Sequence, residues 1–263
     1  MASIAASLTS TARVVYSVAQ RDTQSKHAES PIGLFAMVLE PFAMMCVMSV
    51  VFATIKMRVP GMGDYLMLFI MTGTLPLSMF RGGVSSAERA ARKMKRALVL
   101  PQIQPIDLVM GGILANFLAV LALYLVITAM FHFFYGTDEP EALLLSIVPA
   151  VCNACIALGF ACLNMVIKTW FKFWGFIFAM ATAPLNICSG MFYTAESLPP
   201  KIQEVLWWNP FLHSTELTRT YYFPEFESGF FSPSYYFAWV IGAPLVGLTL
   251  ERMFRYRLLR SKT

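Results

Sequence analysis

Six long apolar stretches separated by short, charge-bearing loops constrain this chain more than any other feature. They run from Leu34 to Thr54, Tyr65 to Val84, Ile106 to Phe134, Ala142 to Ile167, Phe173 to Tyr193 and Phe231 to Leu250. A helix rises about 1.5 Å per residue, so roughly 20 apolar residues match a hydrocarbon core about 30 Å thick. Backbone amides cannot go unpaired in lipid, which makes segments of this length and composition transmembrane helices. The expected fold is therefore an all-α integral membrane domain of six spans. The totals agree, since 57% of the 263 residues are hydrophobic and 13% charged, against about 45–50% and about 25% in soluble domains. No polar block between the spans is long enough for a second domain.

The net charge of +5 does not point to nucleic acid, because the basic residues sit in loops beside the spans, where they set topology or face lipid headgroups. With the N-terminus placed in the cytoplasm, only Lys56, Arg58, Lys201 and Arg219 of the 20 lysines and arginines fall outside. Asp64, Asp138, Glu139, Glu141, Glu196, Glu204, Glu216, Glu225 and Glu227 fall outside with them. Both termini are thus expected to be cytoplasmic. The five cysteines, Cys46, Cys152, Cys155, Cys162 and Cys188, lie inside predicted spans. The Cys152-x-x-Cys155 spacing can be redox or metal chemistry, but apolar burial disfavours a thiolate, and these read as small packing residues.

Residues 1–30 lack the basic start of a secretory leader. Ile4, Leu8, Val15 and Val18 recur at helical spacing, with serines and Arg21 on another face. That pattern is either an amphipathic helix lying in the inner interface or a frayed terminus. Glu40, followed by Pro41, stands inside the first span. An ionisable group there costs a few kcal/mol unless paired or hydrated, so Glu40 either lines a conduit or is buried, protonated or paired with a base such as Arg81. Arg81-Gly82-Gly83, after Pro76, predicts a bend or break near the end of the second span. Ser85 and Glu88 form an S-x-x-E capping box that marks a new helix start, and Pro101 and Pro105 bound its far end. The segment carries Glu88, Arg89, Arg92, Lys93, Lys95 and Arg96. It is either a docking helix for a cytoplasmic partner or a topology determinant that touches lipid phosphates. Gly111, Gly112, Asn116, Asn153, Asn164 and Asn186 in the third to fifth spans suit close helix approach and cross-helix hydrogen bonds.

Trp170, Phe171, Phe173, Trp174, Phe176 and Phe178 crowd one boundary between the fourth and fifth spans. They form either an interfacial aromatic belt or the wall of a conduit, since aromatic faces pack on the C–H faces of sugars without demanding fixed hydrogen bonds. Residues 194–230 are too polar to cross the bilayer yet rich in aromatics. Pro199-Pro200 opens a short helix over Lys201 to Trp208, Asn209-Pro210 breaks it, and a second helix runs to about Tyr222. The pair reads as a re-entrant or interfacial hairpin. On its second helix His213, Glu216 and Arg219 share one face. They lack a nucleophile at fixed spacing and read as a hydrogen-bond and ion-pair set. The three histidines are scattered, so no metal site is evident, and no G-x-x-x-x-G-K-[ST] pattern occurs.

The order of elements resembles the permease subunit of ABC-2 type exporters. It looks most like the inner-membrane permease of bacterial capsular polysaccharide export systems. The residues that carry the resemblance are Leu198-Pro199, Asn209-Pro210-Phe211-Leu212-His213 and Arg219, with Gly190, Arg21-Asp22 and Leu39-Glu40-Pro41; Met191 stands where a smaller residue is expected. The resemblance implies one transmembrane domain over residues 1–263. Its parts are an interfacial helix (1–30), spans one to five (34–193), a periplasmic gate hairpin (194–230), span six (231–252) and a cytoplasmic tail (253–263). It implies a homodimer with two separate ABC ATPase subunits that hold the ATP and magnesium, leaving this chain without a cofactor. The loop from Glu88 to Arg96 would dock those subunits. Glu40, Arg81, Trp170, Phe173, Trp174 and Phe178 would border the conduit. Leu198, Pro199, Trp207, Trp208, Asn209, Pro210, His213, Glu216 and Arg219 would build the gate. The cargo would be a lipid-linked polysaccharide, passed to co-polymerase-type periplasmic and outer-membrane partners. The same fold also serves O-antigen, teichoic acid, lipid or drug export, and an integral-membrane enzyme or channel is the reading of another class.

Overall fold

The computed structural model describes residues 32–54, 66–92, 104–137 and 142–260. Among the described residues the regular structure is helical throughout. The elements are α1 (Ile32–Thr54), α2 (Leu66–Arg92), α3 (Pro105–Tyr135), α4 (Leu143–Ser146), α5 (Val148–Ile167), α6 (Trp174–Thr182), α7 (Leu185–Cys188), α8 (Pro200–Leu206), α9 (Pro210–Tyr222) and α10 (Pro233–Arg260). Four stretches are long and apolar enough to cross a membrane: Leu66–Arg89, Pro105–Tyr135, Leu143–Ile167 and Pro233–Tyr256. Shorter apolar stretches cover Phe42–Phe52 and Trp174–Cys188. The amphipathic segment before residue 31 and Lys93, Lys95 and Arg96 lie outside the described residues, as do the side chains of Glu40 in α1 and Arg92 in α2.

α2 is the central helix. Its apolar window is 78% buried, against 11% for that of α10. It runs unbroken through Pro76 and through Gly82-Gly83 to Arg92, so neither the expected break nor a separate helix starting at Ser85 is present. The glycines serve close approach instead. A Cβ at Gly82 would sit 2.3 Å from Asn116 Oδ1, and one at Gly112 of α3 would sit 2.8 Å from the backbone of Ser86. Ser85 does not cap; its hydroxyl donates back to the Gly82 carbonyl at 3.1 Å, as a mid-helix serine does. α5 and α10 cross with similar intimacy. A Cβ at Gly159 would meet Ala243 backbone at 2.2 Å, and one at Gly247 would meet the Gly159 carbonyl oxygen at 2.2 Å. Small residues let helix backbones approach this closely in lipid.

The stretch expected as a continuous fifth span is divided. α6 ends at Thr182, Ala183-Pro184 form a turn, and α7 lasts only from Leu185 to Cys188. Proline lacks the amide that would continue the ladder, and its ring crowds the preceding turn. Gly190 then takes a left-handed φ of 73°, which a residue with a Cβ adopts at a cost. Pro149 likewise lies where α4 gives way to α5. At α3 pattern and structure agree, whereas the last helix runs on past Leu250 to Arg260. α3 starts on Pro105, with the Asp107 carboxylate accepting the Gln104 amide at 2.9 Å. It ends at Gly136, whose φ is 65° and whose amide donates to the His132 carbonyl at 3.1 Å.

Candidate functional site

The residues singled out in the sequence gather at two ends of α2. Phe69 and Glu88 are separated by roughly 28 Å along the helix at about 1.5 Å per residue, close to the thickness of a hydrocarbon core of about 30 Å.

At the Phe69 end sit α8 and α9. Pro200 and Pro210 occupy the first helical turns of α8 and α9, where a missing amide costs nothing. Asn209 joins the two helices. Its Oδ1 accepts the Phe211 amide at 3.0 Å, capping α9, and its Nδ2 donates to the Cys188 carbonyl at 2.8 Å. One residue therefore caps α9 and ties it to the end of α7. α9 is buried on all sides, from Phe211 to Arg219.

Within that buried helix Glu216 and Arg219 form an i, i+3 ion pair, 3.7 Å between Oε1 and Nη1, with neither side chain exposed. Arg219 also donates to three carbonyls of the loop after α7: Nη1 to Tyr193 at 2.7 Å, and Nη2 to Gly190 at 2.8 Å and Met191 at 3.4 Å. Its guanidinium carbon lies 4.0 Å from the centroid of the Phe69 ring of α2. Glu216 accepts the Ala195 amide at 3.1 Å on Oε1 and the Ser228 hydroxyl at 2.8 Å on Oε2. Burial pushes Arg219 down to about 10 and Glu216 upward, each opposed by the charge of the other. The pair holds the 190–195 loop and Ser228 to one turn of α9. The φ of Gly190 is what favours glycine there, and a Cβ would also displace the end of the Leu212 side chain, 2.5 Å away.

His213 belongs to a different set. Its Nε2 lies 2.8 Å from the Trp207 carbonyl, which can only accept, so Nε2 carries the proton. Nδ1 then accepts the Ser232 amide at 3.3 Å. Burial lowers the pKa of the imidazole, in keeping with a neutral ring. Trp207, Phe230 and Tyr235 surround it. Trp208 is exposed, while its carbonyl accepts the Tyr235 hydroxyl. Leu198 and Pro199 shape the turn into α8, and the Leu198 carbonyl accepts Gln203 Nε2 at 2.8 Å. Both nitrogens of His213 and both oxygens of Glu216 are thus engaged and buried.

Deeper in, a polar cluster links α2, α5, α9 and α10. Asn153 Nδ2 donates to the Pro76 carbonyl at 2.7 Å and to Ser214 Oγ at 2.9 Å, and the Tyr236 hydroxyl reaches Asn153 Oδ1 at 3.0 Å. Sequence reasoning singled out Asn153 as a cross-helix donor but had no signal for Ser214 or Tyr236, whose polar atoms matter only through this convergence. All five cysteines are free thiols.

At the Glu88 end the charged residues pair with neighbouring side chains while staying partly exposed. Glu88 Oε1 accepts Lys168 Nζ at 2.7 Å and Asn164 Nδ2 at 3.2 Å. Arg89 donates to Ser85 at 3.1 Å and Ser86 at 2.6 Å on its own helix. Arg81 donates to Asn186 at 2.6 Å. Of the aromatic residues, Trp174 donates its indole N–H to Asn164 Oδ1 at 2.9 Å, and Phe178 packs on Phe160. Phe173 is 81% exposed and Trp170 41%, although Trp170 also contacts Phe254 edge-on. α6 has no buried residue.

Three curated relatives align with this chain over 92% of its length at 22% identity. They are the capsule polysaccharide export inner-membrane proteins BexB of Haemophilus influenzae and CtrC of Neisseria meningitidis serogroup B, each covered over 91% of its own length, and the polysialic acid transport protein KpsM of Escherichia coli, covered over 93%. Residues 13–223 match the ABC-2 type transporter family. With most of the chain inside that match, and four helices long and apolar enough to span a bilayer, this protein belongs to the ABC-2 type transporter family.

Proposed function

We propose that this chain is the membrane permease of an ATP-driven exporter that carries a lipid-linked capsular polysaccharide across the bacterial inner membrane. The observation that carries the reading is the near end-to-end alignment with three relatives named for capsule or polysialic acid transport. In this reading α1 and the α6–α7 segment complete six spans, both termini are cytoplasmic, and residues 194–230 form a periplasmic hairpin that gates the exit. Two copies pair, and two ABC ATPase subunits supply ATP and magnesium. Co-polymerase-type and outer-membrane proteins receive the polymer. Glu40, Arg81, Trp170, Phe173, Trp174 and Phe178 border its path. The exposed aromatic and apolar face of α6 is compatible with a surface that a second copy and a sliding polymer share.

In this arrangement basic residues near the inner leaflet attract the phosphate-bearing end of a glycolipid. ATP-driven closure of the partner subunits presses on the segment from Glu88 to Arg96. Because α2 runs as one helix from Arg92 to Phe69, Pro76 included, displacement at one end reaches α9 through Arg219 and Asn153. Alanine replacement of Arg89, Arg92 and Lys93 together is expected to lower recovery of the ATPase subunit in a detergent pull-down by on the order of tenfold, and capsule export with it. Unchanged recovery and export would show that this segment does not dock the ATPase. A loss of export without loss of recovery would place the three charges on the polymer path instead.

A further inference from the structure

The three helix ends near Glu88 meet through a single amide. Asn164, near the end of α5, is fully buried. Its Nδ2 donates to Glu88 Oε1 on the last turns of α2 at 3.2 Å. Its Oδ1 accepts the indole N–H of Trp174, the first residue of α6, at 2.9 Å. An amide presents donor and acceptor on opposite sides, so it cannot turn over without setting Oδ1 against a carboxylate and N–H against N–H. Lys168 reinforces the arrangement. Its Nζ pairs with Glu88 at 2.7 Å, and its stem lies against α6, where a Cβ at Gly175 would stand 3.2 Å from Lys168 Cε.

α6 has little else to fix it. None of its residues is buried, and its packing onto the rest of the chain includes Phe178 against Phe160. A shift of Glu88 relative to α5 therefore breaks its bonds to Asn164 and Lys168, or draws the Asn164 amide along and, through Oδ1, pulls on Trp174. The Asn164 amide is fully buried, so an unpaired donor there is costly, and the second course is favoured.

We propose that Asn164 is a positioning residue that converts movement of the Glu88 end of α2 into movement of the start of α6. It does so as a two-sided link and not as a group that touches polymer or nucleotide. The inference rests on the exporter reading, in which α2 receives the push and α6 borders the path.

The test uses the full permease–ATPase complex in vesicles, reading both ATP hydrolysis and polymer translocated. Trp174→Phe deletes only the indole donor and keeps the ring. Asn164→Leu deletes both sides of the link at similar volume. Asn164→Leu, which lies off the path, is expected to leave complex recovery and ATP hydrolysis within about twofold of wild type, and both variants to lower polymer moved per ATP about tenfold, inside the usual range of coupling between sites. The double variant should be no worse than either single one, because one link is broken in all three. Polymer moved per ATP at the wild-type value in Trp174→Phe overturns the proposal. So does a parallel fall of hydrolysis and transport, which marks a merely structural contact, or an additive double variant. A wild-type complex that moves no polymer defeats the exporter reading itself, a result separate from any change in the ratio.

Discussion

Replacing Arg219 by methionine is expected to destabilise the folded chain by about 3–5 kcal/mol, the usual cost of removing one partner from a buried ion pair. The side chain is fully buried, and its loss strands a second buried charge on Glu216 at 3.7 Å. It also leaves the carbonyls of Gly190, Met191 and Tyr193 without their donor. Methionine keeps the aliphatic stem but ends where Nε stands, so the loss combines charge, hydrogen bonding and the guanidinium's contact with Phe69. The measurement is thermal unfolding of the detergent-purified protein, followed by intrinsic fluorescence. Arg219→Met/Glu216→Gln should recover part of the loss, because the neutral amide no longer needs a countercharge and its oxygen can still accept the Ala195 amide. A change below about 1 kcal/mol for the single variant, the size of a surface pair, would mean that the pair does not hold the hairpin to the bundle.

Gly159→Leu is expected to be the second large loss. Overpacking a tight site costs typically about 1–3 kcal/mol and occasionally more. Here the obstacle is backbone, Ala243 at 2.2 Å from where the Cβ would begin, so no rotamer relieves it and α5 and α10 must separate. The control lies on the same crossing helix. A Cβ at Gly242 meets nothing within 4 Å, and Gly242→Ala should be neutral or gain up to about 1 kcal/mol from helix propensity. Melting temperatures of the three proteins decide the matter. Equal melting temperatures for Gly159→Leu and wild type would contradict the close crossing.

The helices that follow from hydropathy alone were legible to within a few residues. α3, α4–α5 and the start of α10 coincide with uninterrupted apolar runs, and the hairpin boundary at Asn209-Pro210 was fixed by a residue pair with few conformational options. Glycine was the ambiguous letter. Gly82-Gly83 has the composition of a break, yet serves as a seat for Asn116, because the same missing Cβ permits either a bend or a close neighbour. Pro184 was hidden by the apolar residues around it, which make the 173–193 stretch read as one span although the proline interrupts its hydrogen-bond ladder. The site was legible as residue types but not as partnerships. Glu216 and Arg219 share a face by spacing, and that much is arithmetic. The Glu88–Asn164–Trp174 link joins residues 76 and 10 positions apart, and no local pattern reports such a meeting.

The central claim is that this chain conducts polymer while another subunit supplies the energy. The most direct measurement is transport in vesicles loaded with lipid-linked capsular polysaccharide, with this chain alone, with the ATPase subunit alone, and with both. Polymer should cross only when both are present and ATP is added, and no nucleotide should be hydrolysed by this chain alone. Translocation or ATP hydrolysis by the isolated chain, or its absence from a complex that otherwise hydrolyses ATP in response to the glycolipid, would contradict the account.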